Sequence, residues 1–252
     1  MKKIGIVGGV SWISTVEYYK TICQLSHEHQ HERAPEGPPA VPEIIIESLN
    51  INKSFNLRGQ PGDDASWRQY EAYFRGALKR LEASGVDFAI IASNTPHNRY
   101  DSITEGIGVP VLNIFEEVAK ECARNSVRNT LILGTAPTMS SPVFPVVLEK
   151  HGIFGTVPQA DHDQAMIISL IDKLQAGENH AAAELIQGLA MTYLSMNSDE
   201  RQSVCLSCTE LPLAFPEFVD APTFEMNGVL YLNTTIVHAK AAFDYAVSTN
   251  VA

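Results

Sequence analysis

Apolar runs of strand length alternate with segments of helical period along almost the whole chain, a pattern that a parallel sheet with crossover helices satisfies and few other folds do. Such runs fall at 4–7, 44–46, 86–92, 109–112, 130–133, 153–157, 204–206 and 223–224. The run at 86–92 is apolar at nearly every position, as a strand buried on both faces requires. Helical spacing predicts helices near 115–124, 142–151, 162–175, 179–195 and 234–247. Ser14, with Glu17 three residues on, reads as a capping box, and Val16, Tyr19 and Cys23 form the expected inner stripe of that first helix. Trp67, Tyr70, Phe74, Leu78 and Leu81 recur at helical spacing up to Gly85, the pattern of core packing. Residues 31–43, rich in Pro, Gly and charge, read as a surface loop. The polar stretch 50–66 is long enough to be a functional loop over a site.

Two strand ends are echoed later in the chain. Ile6-Val7-Gly8-Gly9 resembles Ile132-Leu133-Gly134-Thr135, and the apolar run ending in Ser93-Asn94-Thr95 resembles the one ending in Cys208-Thr209-Glu210. Repeated junctions point to a duplicated α/β lobe, although parallel strands tend to end alike in any case. The expected division is 1–103 with 221–252 as a first lobe and 104–220 as a second.

Charge narrows the partners. With 29 acidic and 18 basic side chains the net charge is −11, a surface that repels nucleic acid and anionic membranes. A small anion remains compatible, because backbone N–H groups at helix starts attract one locally. No apolar run approaches the ~18 residues that span a bilayer. The first apolar run is broken by Gly5, Gly8 and Gly9, so it reads as a strand entering a glycine loop rather than a leader. Four scattered cysteines make no disulfide framework, and the expected location is cytoplasmic.

In open parallel sheets, ligands lie beyond the carboxyl ends of the strands. Four such junctions are rich in small hydroxyl and amide side chains: Gly8-Gly9-Val10-Ser11, Ser93-Asn94-Thr95, Gly134-Thr135 through Thr138, and Ser207-Cys208-Thr209. Together they favour carboxylate binding, while singly each is a turn or a cap. The first lacks the third glycine of a dinucleotide fingerprint. Cys208, at a strand end before an expected helix, meets a positive dipole that favours thiolate, though cysteine serves equally as a small buried hydrophobe. Cys205 and Cys208 form a C-x-x-C without the second pair that a metal site wants. His97 and His238, at helix starts, read as caps or supporting residues.

These segments also carry a family resemblance. Ile4-Gly5-Ile6-Val7-Gly8-Gly9-Val10-Ser11-Trp12, Asn94-Thr95-Pro96-His97, Leu133-Gly134-Thr135 with Thr138-Met139, Cys208-Thr209-Glu210-Leu211-Pro212, and Asn233-Thr234-Thr235 with His238 resemble, in order, the motifs of cofactor-independent aspartate/glutamate racemases. The resemblance implies two similar Rossmann-like lobes with parallel sheets, related by a pseudo-twofold axis, with the active site between them. It implies a homodimer, no pyridoxal phosphate and no metal, and a small acidic amino acid as substrate. One cysteine from each lobe would take and return the Cα proton, with Ser11, Asn94, Thr95, Thr135, Thr138 and Thr209 holding the α-carboxylate region. Glu210 stands where glutamate racemases usually carry histidine, which favours the aspartate branch. Lys53 or Arg58 would meet the second carboxylate, unless both are solvated surface charges.

The resemblance breaks at one position. Ser93 stands in place of the first family cysteine, leaving Cys208 as the main thiol acid/base. A hydroxyl without an activating partner is a poor base for an α-proton. Two alternatives therefore stay open: a single-cysteine decarboxylase or isomerase of the same superfold, and a non-enzymic binding protein for acidic amino acids.

Overall fold

A computed structural model describes residues 1–33, 40–194 and 200–248; of the expected loop at 31–43, residues 34–39 lie outside them and 31–33 continue the first helix. The chain folds as two compact units, Met1–Asn113 with His238–Ala252, and Ile114–Val237. Both boundaries fall later than the sequence pattern suggests, because β4 (Val111–Leu112) completes the first sheet and the strand before the last helix completes the second.

In the first unit, β1 (Ile4–Gly8), β2 (Ile44–Ser48), β3 (Phe88–Ile91) and β4 form a parallel sheet in the order β2-β1-β3-β4. Alternate side chains of these strands enter two separate cores. Val7, Ala89 and Ile91 pack against Tyr70, Phe74 and Leu78 of α3 (Arg68–Ala83). Ile4, Ile6, Phe88 and Ile90 pack against Tyr18 and Ile22 of α1 (Trp12–Arg33) and Ala239, Ala242 and Ala246 of α10 (Thr234–Val247).

The inner face of α1 differs from the expected stripe. Val16 and Tyr19 are exposed and Cys23 is half-buried, while the buried face runs through Ser14, Tyr18, Ile22 and Ser26. Each of these three hydroxyls has a partner: Ser14 donates to the Ala92 carbonyl at 2.7 Å, Ser26 to the Ile22 carbonyl at 2.6 Å, and Tyr18 bonds His238 Nδ1 at 2.8 Å. Ser14 is thus no cap. Ser11 stands ahead of the helix, its carbonyl taking the Thr15 N–H at 3.2 Å.

In the second unit, β5 (Val127–Gly134), β6 (Phe154–Thr156), β7 (Arg201–Ser207), β8 (Thr223–Met226) and β9 (Val229–Asn233) run in the order β6-β5-β7-β9-β8. All pairs are parallel except the β8–β9 hairpin. One face carries α8 (Asp161–Gln175) and α9 (Ala182–Tyr193), and the other α5 (Ile114–Arg124) and α7 (Val143–Lys150). With β8 set aside as an added edge strand, β6-β5-β7-β9 repeats β2-β1-β3-β4, so the echoed sequence junctions occupy equivalent strand ends. Among the described residues, no helix is long and apolar enough to cross a membrane.

The turn after β1 depends on Gly9, whose φ is +78° and at which a Cβ would run into the Leu49 backbone. Gly9→Ala is therefore expected to destabilise the chain by about 3 kcal/mol or more, read as a lowered urea midpoint.

Candidate active site

Strand order alone locates where chemistry belongs. In each sheet the chain first moves outward, β1 to β2 and β5 to β6, then returns to the other side of its starting strand. This makes the gaps between the ends of β1 and β3, and of β5 and β7, topological switch points, where no crossover helix covers the strand ends. Apart from Lys53, the residues that the sequence nominates fall at these two places.

In the first unit, β1 ends in Gly8-Gly9 and Ser11, while Ser93, Asn94 and Thr95 follow the neighbouring β3. Ser14 fastens the start of α1 to the end of β3, and Thr15 Oγ1 accepts the Gly9 N–H at 2.8 Å. Ser11 and Ser93 are half-buried, and Asn94 and Thr95 are buried. Lys53 is elsewhere in character. It is exposed on α2 (Ile51–Asn56), a short helix inside the stretch expected to be a loop, and its ammonium lies over the Tyr73 ring at 4.6 Å. Arg58 rests on the Phe55 ring at 4.9 Å.

In the second unit, Thr135 and Thr138 follow β5, their hydroxyls 3.2 Å apart. Cys208 and Thr209 follow the neighbouring β7. Gly134 lets the two strand ends close up, since a Cβ there would stand 2.9 Å from the Ser207 carbonyl oxygen.

The surroundings of Cys208 differ from the expected helix dipole. A single 3-10 turn, Leu211–Ala214, comes after it, held short by Pro212 and by Pro216 beyond. One turn carries little of a helix's field. Instead a carboxylate is supplied: the buried Cys208 thiol donates to Glu210 Oε2 at 2.9 Å, and the Thr209 hydroxyl donates to the same oxygen at 2.9 Å. A carboxylate at that distance accepts the thiol proton in a charge-assisted hydrogen bond. Sequence reasoning uses Glu210 only to separate branches of a family. Its signal is there to be read: an acidic residue two positions after a buried cysteine in an otherwise apolar segment must pair locally.

Behind Ser93 lies a buried cluster that sequence reasoning describes only as caps or supporting residues. His97 Nε2 bonds the Ile91 carbonyl at 3.3 Å, and His238 Nε2 bonds the Leu112 carbonyl at 3.2 Å. The two rings meet edge to face with centroids 5.6 Å apart. Carbonyls only accept, so both Nε2 atoms carry protons, and His238 Nδ1 is left to accept the Tyr18 hydroxyl. Burial depresses His97 to about 4, partly opposed by its bonds to Ile91 and Asn113. Burial, with the neighbouring His97, holds His238 well below the usual histidine value.

Both folded values lie below the unfolded value near ~6.5, so the unfolded chain binds more protons beneath that pH. Stability from the pair is complete above about pH 6.5 and is lost as the pH falls towards about 4, where His97 titrates. The expected result is a urea midpoint that falls steeply between those limits, with a shallower slope in His97→Gln.

Among the described residues, no group of three or more His, Cys, Asp or Glu side chains is placed to hold a metal ion.

Comparison with known proteins bears on what these strand ends do. Residues 7–242 match the Asp/Glu/hydantoin racemase family. The chain is 33% identical over 141 residues to the broad specificity amino-acid racemase RacX of Bacillus subtilis. That match covers 56% of this chain and 59% of that protein, less than two thirds of its length. The fold is similar to that of an aspartate racemase homologue from Pyrococcus horikoshii, with a TM-score of 0.76 and 27% identity over 98% of this chain and 100% of the other. It is also similar to that of an aspartate racemase from Picrophilus torridus, with a TM-score of 0.69 over 98% of this chain and 94% of the other, which at 19% identity speaks to fold alone.

Proposed function

We propose that this chain, which belongs to the Asp/Glu/hydantoin racemase family, racemises an acidic amino acid, aspartate before glutamate, without a cofactor. The observation that carries the reading is the equivalence of two strand ends: Cys208 after β7, its thiol bonded to Glu210, and Ser93 after β3, each at the switch point of a sheet with the same strand order.

In this reading Cys208 is the main acid/base. Glu210 accepts the thiol proton, the thiolate removes the proton from Cα, and the carbanion is inverted when a proton returns by way of Ser93, relayed from water. The hydroxyl and amide groups of Ser11, Asn94, Thr95, Thr135, Thr138 and Thr209 hold the α-carboxylate and the charge that spreads onto it as the carbanion forms. Lys53 is a weaker candidate for the distal carboxylate than its charge suggests, since it is exposed and engaged with Tyr73. A homodimer is part of the proposal, supported by the family membership alone.

The test is proton NMR in deuterium oxide with L-aspartate, D-aspartate and both glutamates. Deuterium at Cα together with the opposite enantiomer is the expected result. Absence of both, for all four substrates, would overturn the reading. Ser93 also suits a second reading, a decarboxylase in which a single thiol protonates the carbanion left by carbon dioxide; release of carbon dioxide without inversion would identify it.

A further inference from the structure

Buried backbone carbonyls at the carboxyl end of a parallel sheet also take side-chain donors. The carbonyl two residues ahead of each candidate reacting group accepts a hydrogen bond from a fully buried side chain outside its own strand. In the first unit it is Ile91, whose oxygen accepts the Ser93 N–H at 2.8 Å in a tight turn and also the His97 Nε2–H at 3.3 Å. In the second it is Leu206, whose oxygen accepts the Thr234 hydroxyl at 3.0 Å.

The two donors are themselves held. His97 is stacked on Tyr100 at 5.8 Å and abuts His238, and the Tyr100 hydroxyl donates to the Val111 carbonyl at 2.5 Å. Thr234 opens α10 directly after Asn233, whose Oδ1 accepts the Thr235 N–H at 3.2 Å and whose Nδ2 donates to the Val219 carbonyl at 2.9 Å. Different residue types from different elements thus make the same bond at equivalent places.

We infer that His97 and Thr234 are positioning residues: each fixes, through a side-chain hydrogen bond to the carbonyl two residues upstream, where Ser93 and Cys208 respectively stand. That Ser93 and Cys208 are the reacting groups rests on the function proposed above; that these bonds fix their positions does not.

The two arms are separable by experiment. Return of the proton by Cys208 itself labels Cα without inversion, so labelling of the unconverted enantiomer reads the Cys208 arm, and inversion additionally reads the Ser93 arm. His97→Leu is expected to lower inversion about tenfold while leaving labelling of the enantiomer handled by Cys208 within about twofold, the effect of a slightly misplaced group. His97→Gln, whose amide nitrogen replaces Nε2, is expected to restore inversion. His97→Asn, too short to reach the Ile91 oxygen, is expected to behave as leucine while keeping a polar side chain, should leucine not fold. Thr234→Val is expected to lower labelling and inversion together by about tenfold, with Thr234→Ser restoring both.

Amide hydrogen exchange gives a reading that needs no turnover. Protection of residues 93–95 is expected to fall about tenfold in His97→Leu or His97→Asn, and that of 207–210 in Thr234→Val. Unchanged protection at those amides, or equal loss of labelling and inversion in both sets of variants, would overturn the inference. A wild-type chain that labels none of the four substrates would overturn the proposed function, and the amide measurement would still decide the positioning.

Discussion

Cys208→Ser is expected to lower both labelling and inversion by on the order of a thousandfold, the usual loss when a general acid–base group is removed. The substitution is nearly isosteric at a buried site, and the new hydroxyl retains a donor for Glu210 Oε2. Stability should therefore change little, and the loss should fall on turnover. A serine fails because its hydroxyl gives up a proton far less readily than a thiol, even with a carboxylate waiting for it. Both directions must fall by one factor, since the equilibrium constant between enantiomers is one. The check is the deuterium oxide experiment, run beside thermal unfolding of the same variant. Retention of more than about a tenth of the wild-type rate would remove Cys208 from the mechanism.

Ser93→Cys is expected to work the other way, raising the rate of inversion by about tenfold to a hundredfold. Ser93 is half-buried at the end of β3, on a turn held by the Ile91 carbonyl, so one sulfur replaces one oxygen without disturbing the core. A thiol there supplies a second group whose proton is mobile near neutral pH. If return of the proton limits turnover, inversion should rise more than labelling, and their ratio should approach one. An unchanged ratio would mean that Ser93 lies outside the proton path, and the decarboxylase reading would gain.

Much of the fold is legible in the sequence because parallel strands buried on both faces write themselves as unbroken apolar runs. Two departures have distinct causes. The strand Val229–Asn233 is absent from the sequence pattern, although Asn227 and Gly228, both with positive φ (53° and 76°), mark a tight hairpin ahead of it. The inward face of α1 lies one step round the helix from the expected stripe. Hydrophobicity points to Val16 and Tyr19, while the core accepts the hydroxyls of Ser14, Tyr18 and Ser26. Polarity misleads there because each of those hydroxyls finds a partner inside.

The candidate site divides along the same line. Cys208, Ser93 and the threonines stand at switch points because motif and strand end coincide. What the carboxylate of Glu210 does for the thiol, and which carbonyls His97 and Thr234 hold, depend on distances between residues that no spacing rule connects.

The division of the chain into Met1–Asn113 with His238–Ala252, and Ile114–Val237, has a bearing on how the protein is made. The second unit is one uninterrupted segment, so a growing polypeptide can close that sheet and both its cores before synthesis ends. The first unit begins earlier and finishes later. Its core around Ile4, Ile6, Phe88 and Ile90 lacks Ala239, Ala242 and Ala246 until the last helix leaves the ribosome. The first unit is thus completed after the second, and until α10 arrives the part of its sheet face that Ala239, Ala242 and Ala246 cover stays open.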